Sequence, residues 1–149
     1  MSRLVSIVYK PQDAPPSEDG YTRVPLQEAR LVAGYGIEGD AKGGHPERHL
    51  NIMSAETVQT LGGEGFRTSP GQLGEQLLLS GVAVDSLPFG TRLQIGEAAC
   101  VELREPRTGC AKFEQHQDRL RQEAAGRLGR MAQVVESGVI RVGDPVKVL

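Results

Sequence analysis

The pattern of apolar and polar positions along this chain predicts short strands and one longer helix. Residues Arg3–Tyr9 form an apolar, partly β-branched run that ends at a Lys-Pro pair, which predicts a strand. Residues 24–32 predict a second strand. Further on, apolar residues recur at steps of seven, four, four and three, which predicts an amphipathic helix that ends near Gly126 or Gly129. These apolar residues are Phe113, Leu120, Ala124, Leu128 and Met131.

Residues 48–53 alternate with a period of two, which is typical of a strand. Leu50 and Ile52 lie on one face of this predicted strand. The opposite face carries His49, Asn51 and Met53. Ser54 is a suitable N-cap for a short helix that follows, and the Gly62-Gly63 pair is expected to end it.

The second half of the chain contains a short sequence pattern that occurs twice. Residues 93–97 and 140–144 share the order apolar, polar, apolar, Gly, acid, which predicts two hairpin turns at Gly96 and Gly143. Residues 98–103 and 146–149 are the strands expected to leave these turns. Several short strands separated by glycines, with one substantial helix, indicate a mainly β fold: a β-barrel-like core with helical additions.

Composition narrows the class of protein. The 149 residues, 38% of them hydrophobic, are enough for one domain spanning 1–149. We find no apolar run of 18 residues and no signal-peptide pattern, so we expect a cytoplasmic protein without a membrane partner. The net charge of −2 and the scarcity of aromatic residues argue against a nucleic-acid partner. Residues 12–20, rich in Pro, Asp, Ser and Glu, predict a mobile surface loop.

Cys110 is the first candidate for chemistry. It lies near Arg107 and Lys112, and a thiol flanked by cations is biased toward the reactive thiolate. The alternative is a half-buried cysteine in a turn. Cys100, in an apolar strand context, is expected to act as a small hydrophobic residue, and both cysteines are expected to be free thiols. His116 is either an exposed helical histidine or an ion-pair partner of the Cys110 thiolate.

A second candidate is the glycine-rich loop that follows residue 34. It has five glycines between residues 34 and 44, and several cations at or after its end. Such loops present backbone N–H groups to anions, and cations add Coulombic attraction. The alternatives are a solvated loop of mixed charge and a zinc site made by Asp40, His45 and His49.

A third candidate is the pair Glu75 and Gln76, which precedes an apolar run beginning at residue 77. A carboxylate and an amide in this position can orient a ligand by accepting and donating hydrogen bonds. A polar strand end without a ligand is the alternative.

Taken in series, these motifs resemble the MOSC domain family, named after the C-terminal domain of molybdenum cofactor sulfurases. The resemblance covers roughly residues 3–149. The chain departs from common family patterns at Lys42, where a His is frequent, at Gln76, where an Asn is frequent, and at Gly109, where a Pro is frequent. The motifs that carry the resemblance are Gly36–Asp40 with the loop after it, Gly74–Leu77, Gly90–Gly96, Pro106–Cys110 and Gly138–Asp144.

The resemblance implies a barrel-type β fold and a role in carrying sulfur as a cysteine persulfide. Cys110 matches the family's cysteine, which in some relatives is a molybdenum ligand, and Arg107 matches the arginine of the same motif. No pyridoxal phosphate is expected in this chain, because the desulfurase domain of the full-length sulfurases has no counterpart in it. The candidate cofactor-binding residues are Asp40, Lys42, His45, Arg48, His49, Asn51, Glu75 and Gln76.

The function predicted from this resemblance is sulfur transfer by Cys110, from a cysteine desulfurase as donor to a molybdoenzyme or its molybdenum cofactor (molybdopterin) as acceptor. One alternative is a non-catalytic module that binds molybdenum cofactor or an oxyanion for a partner reductase. Another is a molybdenum-dependent reductase of N-hydroxylated compounds.

Overall fold

The computed structural model describes residues 1–13 and 23–149 and contains eleven strands and two α-helices in that part of the chain. Most of the predicted loop at residues 12–20 lies outside the described residues. The elements are β1 (Arg3–Tyr9), β2 (Val24–Leu26), β3 (Glu28–Val32), β4 (Gly36–Ile37), β5 (Leu50–Ser54), α1 (Ala55–Gly63), β6 (Leu77–Ser80), β7 (Arg92–Ile95), β8 (Ala99–Pro106), α2 (Ala111–Gln117), β9 (Arg130–Glu136), β10 (Gly138–Arg141) and β11 (Val146–Val148), with 3₁₀ turns at Val84–Ser86 and Arg121–Ala124.

Eight strands form one sheet in the order β11-β7-β8-β9-β5-β6-β1-β2, and a second sheet has the order β10-β3-β4. The pairings are antiparallel except that of β5 with β6, which is parallel. Parallel neighbours need a crossover connection, and the segment containing α1 supplies it. The mainly β fold with helical additions is therefore confirmed.

The large sheet is open rather than closed into the predicted barrel. Among the described residues, its outermost strands β11 and β2 do not pair with each other. The segment that leads into β11 contacts β1 instead. An isolated bridge joins Arg3 and Pro145, and the Leu4 N–H donates a hydrogen bond of 2.9 Å to the Asp144 carbonyl. The Val146 N–H donates one of 3.0 Å to the Ser2 carbonyl.

Two apolar cores lie against β5, and its alternation decides which residue enters which core. Leu50 and Ile52 belong to the main core between the sheets, whereas Met53 belongs to a smaller core that also holds Leu61 of α1 and Phe113 of α2. All five residues of β5 are buried. The predicted period of two is confirmed, and the face opposite Leu50 is covered rather than exposed.

The predicted strand over residues 24–32 is two strands in different sheets. β2 pairs with β1, and β3 pairs with β10 and β4. The chain bends at Gln27, whose carbonyl accepts a hydrogen bond from the Val142 N–H. Local β propensity is continuous here, but tertiary pairing divides the run.

The predicted helix, which was expected to run from just after Cys110 to near Gly126 or Gly129, was wrong as a continuous element. Helix α2 ends at Gln117, because Asp118 adopts a left-handed conformation with φ of 55°. Leu120 is 63% exposed, and Met131 lies on strand β9. The remaining apolar residues of the pattern do meet in the smaller core, but they come from separate elements: Phe113, Ala124 and Leu128.

The turns at Gly96 and Gly143 both have the predicted glycine conformation, but they connect strands in different ways. Gly96 and Gly143 have φ values of 69° and 97°. The first turn joins β7 and β8 in a hairpin, as predicted. The second is not a hairpin, because β10 pairs with β3 and β11 pairs with β7, so the chain passes from one sheet to the other.

In the part of the chain that the structure describes, neither helix has the length and apolar character needed to cross a membrane.

Candidate functional site

A cavity of about 810 Å³ brings together the glycine-rich loop and the segment around Cys110, which are some sixty residues apart in the chain. Its volume falls within the usual range of about 300–1,000 Å³ for ligand sites. The residues that line it are Arg23, Lys42, His45, Glu47, Arg48, His49, Leu50, Asn51, Gly74, Gln76, Glu105, Pro106, Arg107, Thr108, Gly109, Cys110, Lys112 and Met131.

The loop before β5 is held close to the protein by glycine and by a buried carboxylate. Gly36 has φ of 125°, and a Cβ there would lie 2.9 Å from the carbonyl oxygen of His49. Asp40 is fully buried, and its Oδ1 accepts hydrogen bonds from the backbone N–H groups of Lys10 (3.1 Å) and Lys42 (3.2 Å). Asp40 therefore anchors the loop and does not line the cavity.

A buried amide network joins this anchor to β5. The Oε1 atom of Gln76 accepts a hydrogen bond of 2.7 Å from the Asn51 N–H, and its Nε2 atom lies 3.5 Å from Oδ2 of Asp40. The backbone of Gln76 in turn donates to the Asn51 carbonyl at 2.9 Å. Gln76 and Asn51 both line the cavity.

Glu75 lies behind this wall rather than in it. Its carboxylate is buried and accepts hydrogen bonds from the N–H groups of Gly71 (2.8 Å) and Leu73 (3.2 Å). Burial raises the pKa of Glu75, and these hydrogen bonds oppose the rise. Glu75 thus shapes the turn that carries Gly74 into the cavity wall, whereas Gln76 itself lines the cavity.

Cys110 lies at the cavity wall with an exposed side chain, immediately before α2. Arg107 also lines the cavity. Its guanidinium donates a hydrogen bond to the Leu73 carbonyl, lies 5.7 Å from the centre of the Phe113 ring, and occupies the space that a side chain at Gly74 would need. The guanidinium is therefore held against the turn that contains Leu73 and Gly74.

Arg121 is a cation near Cys110 that the sequence did not indicate. Two hydrogen bonds of 3.1 and 3.2 Å tie its guanidinium to the Glu114 carboxylate. These bonds, and to a smaller extent the negative charge of the Cys110 thiolate, raise the pKa of Arg121. A continuous helix would have carried Arg121 away from Cys110. The chain reverses after Asp118 instead, and this reversal returns residue 121 to the start of α2.

Positive charge is concentrated at the mouth of the cavity. Burial lowers the pKa of Lys42, and repulsion from Arg23, Lys10 and Lys112 lowers it further. Lys42 and the neighbouring Arg48 are exposed lining residues. This crowding of cations suits an anionic group of a ligand, which would relieve the repulsion.

The two histidines of the loop differ in role. His49 is buried, and its Nδ1 atom accepts a hydrogen bond of 2.9 Å from the Val134 N–H. Burial lowers the pKa of His49, so the ring is neutral at pH 7 with its proton on Nε2. His45 is exposed, and its Nδ1 accepts from the Glu47 N–H at 3.1 Å.

The zinc site that the loop spacing left open does not form. Among residues 1–13 and 23–149, no three His, Cys, Asp or Glu side chains are placed to hold a metal ion. Asp40 already accepts hydrogen bonds from backbone N–H groups, and Nδ1 of His49 accepts one from the Val134 N–H of strand β9.

The remaining cysteine and histidine do not line the cavity. Cys100 is a buried free thiol in β8, as predicted, and burial raises its pKa. His116 is buried at 4% exposure, so the prediction of an exposed helical histidine was wrong.

The MOSC domain family model matches residues 40–147. No curated protein sequence matches the chain.

Solved structures match over nearly the whole chain. The YuaD protein from Bacillus subtilis superposes with a TM-score of 0.77 at 19% identity, covering 99% of this chain and 96% of that one. YiiM from Geobacillus stearothermophilus gives 0.73 at 22% identity, covering 100% and 75%, and YiiM from Escherichia coli gives 0.73 at 22%, covering 99% and 69%. At these identities the likeness shows the fold. Because the family match spans well over half of its residues, this chain belongs to the MOSC domain family.

Proposed function

We propose that this protein carries sulfur as a persulfide on Cys110 and delivers it to the molybdenum cofactor or another metal–sulfur centre. Membership in the MOSC domain family is consistent with a function related to the molybdenum cofactor. The observation that carries the proposal is the exposed Cys110 thiol at the wall of a large cavity with a cationic mouth. The other cysteine, Cys100, is buried, so it offers no accessible alternative.

The transfer step needs a thiolate and an accessible donor. The Cys110 thiolate attacks the outer sulfur of a persulfide on the donor, for which a cysteine desulfurase is the proposed class. The S–S bond of the donor breaks, a new S–S bond forms at Sγ of Cys110, and the donor cysteine leaves as a thiolate. No external oxidant or reductant is consumed.

The residues present fit the molybdenum cofactor as the acceptor or ligand. When bound, this group supplies a metal–sulfur centre, for which a thiolate such as Cys110 is a soft ligand. Lys42, Arg48 and His45 at the mouth would hold its phosphate, and Asn51 and Gln76 would face its organic part. Arg107, which is fixed to the Leu73 carbonyl, would keep positive charge on the wall near the thiol.

A binding module without turnover is the second candidate. The volume of about 810 Å³ exceeds what a persulfide alone requires, which favours a protein that holds a cofactor-sized molecule for a partner molybdoenzyme. In this case Cys110 and the cations bind the same groups, but no sulfur is passed on.

Mass spectrometry after incubation with a cysteine desulfurase and free cysteine tests sulfur transfer. We expect the wild-type chain and Cys100→Ser to gain one sulfur atom and Cys110→Ser to gain none. Sulfane sulfur on Cys100, or loading that persists in Cys110→Ser, would contradict the proposal. Metal analysis of protein from a molybdenum-replete host separates the second candidate, for which we expect stoichiometric molybdenum and no added sulfur.

The cationic mouth is tested by replacing Lys42 and Arg48 together with Gln. Sulfate affinity, measured by calorimetry, should fall and depend less on salt concentration, because two charges that attract the anion are lost. A variant with Gln at Arg141 and Lys147, two exposed cations outside the cavity, is the matched control. Equal affinity in both double variants would show that the loop does not bind the anion.

A further inference from the structure

The cations that line the cavity differ from most arginines outside it, because they lack carboxylate partners in the described part of the chain. Outside the lining, ion pairs with glutamates at 2.7 to 3.8 Å hold Arg30, Arg92, Arg104, Arg119, Arg121, Arg127 and Arg141. No ion pair with a described residue holds the lining residues Lys42, Arg48, Arg107 and Lys112. Two acidic residues, Glu47 and Glu105, also line the cavity, so cations outnumber carboxylates there. The unpaired positive charge is available to an anion.

Two of these cations lie on either side of Cys110 in the chain, and the fold keeps all three residues at the cavity. Arg107, Cys110 and Lys112 each line it. The Cζ atom of Arg107 lies 5.7 Å from the centre of the Phe113 ring, and a Cβ at Gly109 would lie 3.3 Å from Cδ1 of the same ring. The guanidinium and the residue before Cys110 therefore lie against one aromatic side chain.

Further cations come from the glycine-rich loop. Lys42 and Arg48 of this loop line the same cavity. Desolvation lowers the pKa of Lys42, and repulsion from Arg23 and Lys112 lowers it further, so the loop and the start of α2 lie close together. Two distant segments of the chain thus place positive charge around an exposed thiol.

A ligand that uses both features combines negative charge with a transferable sulfur atom. We propose that the cavity accepts small dianionic sulfane-sulfur compounds, of which thiosulfate is the simplest, and that Cys110 takes the outer sulfur atom from them. The oxyanion end of thiosulfate suits the unpaired cations, and its outer sulfur is the atom that a thiolate attacks. This inference rests on the proposed function in taking Cys110 as the sulfur carrier. It adds a class of small-molecule donor that needs no partner protein.

The transfer step balances without a further reagent. The Cys110 thiolate attacks the outer sulfur of thiosulfate, and a new S–S bond forms at Sγ. The S–S bond of thiosulfate breaks, and its electron pair leaves with sulfite. No proton, external oxidant or reductant is consumed. The cations hold the oxyanion before the step and the sulfite dianion after it, so the charge of the leaving group stays compensated. Once sulfite departs, the same cations can hold the phosphate of an acceptor.

Thiosulfate and cyanide are the probes for this activity. The wild-type protein incubated with thiosulfate should gain one sulfur atom by mass spectrometry and release an equal amount of sulfite. Added cyanide removes persulfide sulfur as thiocyanate, so with cyanide present the release of sulfite should continue. Cys100→Ser should behave as the wild-type protein does, and Cys110→Ser should neither gain sulfur nor release sulfite. A wild-type chain that gains no sulfur from thiosulfate would overturn the proposal.

Replacing Lys42 and Lys112 together with Gln tests the cations. Both lysines are exposed, so the double variant should fold. Its rate of loading from thiosulfate at low ionic strength should fall about tenfold, the low end of the roughly 10–10³-fold effect of a charged cleft on association. Alkylation of Cys110 by iodoacetamide should change far less, because this reagent carries no charge.

The matched control is the variant with Gln at Arg141 and Lys147, two exposed cations outside the cavity lining, which should load from thiosulfate at the wild-type rate. If the double lysine variant lost thiosulfate loading and iodoacetamide alkylation to the same extent, the lysines would act on the thiol alone. An unchanged rate of thiosulfate loading would show that they do not hold the anion. Either result would overturn the anion site.

Loading by a cysteine desulfurase with free cysteine reports separately on the proposed function. Loading by the desulfurase but not by thiosulfate would refute the small-molecule donor and leave the sulfur carrier standing. Loading by thiosulfate alone would support the inference and remove the desulfurase as the donor. Loading by neither would refute both.

Discussion

The contact between Gly74 and Arg107 gives the sharpest test of how the cavity wall is built. Gly74 has φ of 87°, and a Cβ there would lie 2.7 Å from Cζ of Arg107, well inside the 3.5–4.0 Å at which carbon atoms pack. Gly74→Ala therefore has two effects. It places a side chain in a left-handed backbone conformation, and it expels the guanidinium from the carbonyl of Leu73.

The two effects can be separated with a matched glycine. Gly90 has φ of 89°, and a Cβ there would meet nothing within 4 Å, so Gly90→Ala reports the backbone cost alone. We expect that cost to be about 1 kcal/mol. Gly74→Ala should cost about 2 kcal/mol, because the half-buried Arg107 also loses a charge-assisted hydrogen bond worth about 1 kcal/mol after solvent screening. For a chain of this length, each kcal/mol lowers the melting temperature by about 2–4 °C.

A double-mutant cycle isolates the Arg107 contribution. In an Arg107→Ala background, Gly74→Ala should cost no more than Gly90→Ala does, so urea unfolding should give a coupling of about 1 kcal/mol between positions 74 and 107. Phosphate affinity should fall in Gly74→Ala and stay unchanged in Gly90→Ala. A coupling near zero, or equal phosphate binding in the two alanine variants, would refute the assignment of Arg107 to this wall.

Three further outcomes follow from the charges and burial around the cavity. Because desolvation and neighbouring cations lower the pKa of Lys42, bound phosphate should raise it again. Phosphate binding at alkaline pH should therefore take up protons, which calorimetry in buffers of different ionisation enthalpy detects. Lys42→Met should abolish this uptake. Burial raises the pKa of Glu75, so the stability that this group contributes is complete below its unfolded pKa and is lost as pH rises through its folded pKa. In urea unfolding between pH 4 and 7, the wild-type protein should therefore lose stability relative to Glu75→Gln. The opposite slope would contradict a raised pKa for Glu75. Cys100→Ser should lower the free energy of unfolding by about 1–3 kcal/mol, because it buries a hydroxyl, whereas Cys110→Ser should change it by no more than about 0.5 kcal/mol. Thermal unfolding measures both changes. The reverse order would contradict the structural role of Cys100 and the exposed position of Cys110.

Local patterns predicted the parts of the fold that depend on neighbouring residues. The run Arg3–Tyr9 is strand β1 with the predicted bounds, and the alternation around Leu50 places Leu50 and Ile52 in the main core and Met53 outside it. Gly96 and Gly143 have the positive φ that their turns require. Each of these features depends on side-chain period or on glycine conformation, which are properties of a few consecutive residues.

The predicted long helix shows where such patterns mislead. Phe113, Ala124 and Leu128 share a core, so their apolar character was interpreted correctly, but Asp118 reverses the chain between them. A helical spacing of apolar residues does not distinguish one helix from several short elements that pack into the same core. Because a continuous helix was predicted, the sequence did not indicate that Arg121 lies near Cys110.

By itself the sequence determined the mainly β class, the family resemblance, and two separate groups of residues with chemical character, around Asp40 and around Cys110. Only the tertiary structure decided that these groups share one cavity, because they are joined by the pairing of β5 with β9 and of β9 with β8, contacts between residues distant in the chain. It also decided which polar residues are buried anchors, such as Asp40 and Glu75, and which line the cavity, such as Lys42 and Gln76. Burial and hydrogen-bond partners separate these roles, and both depend on what the folded chain packs against each side chain.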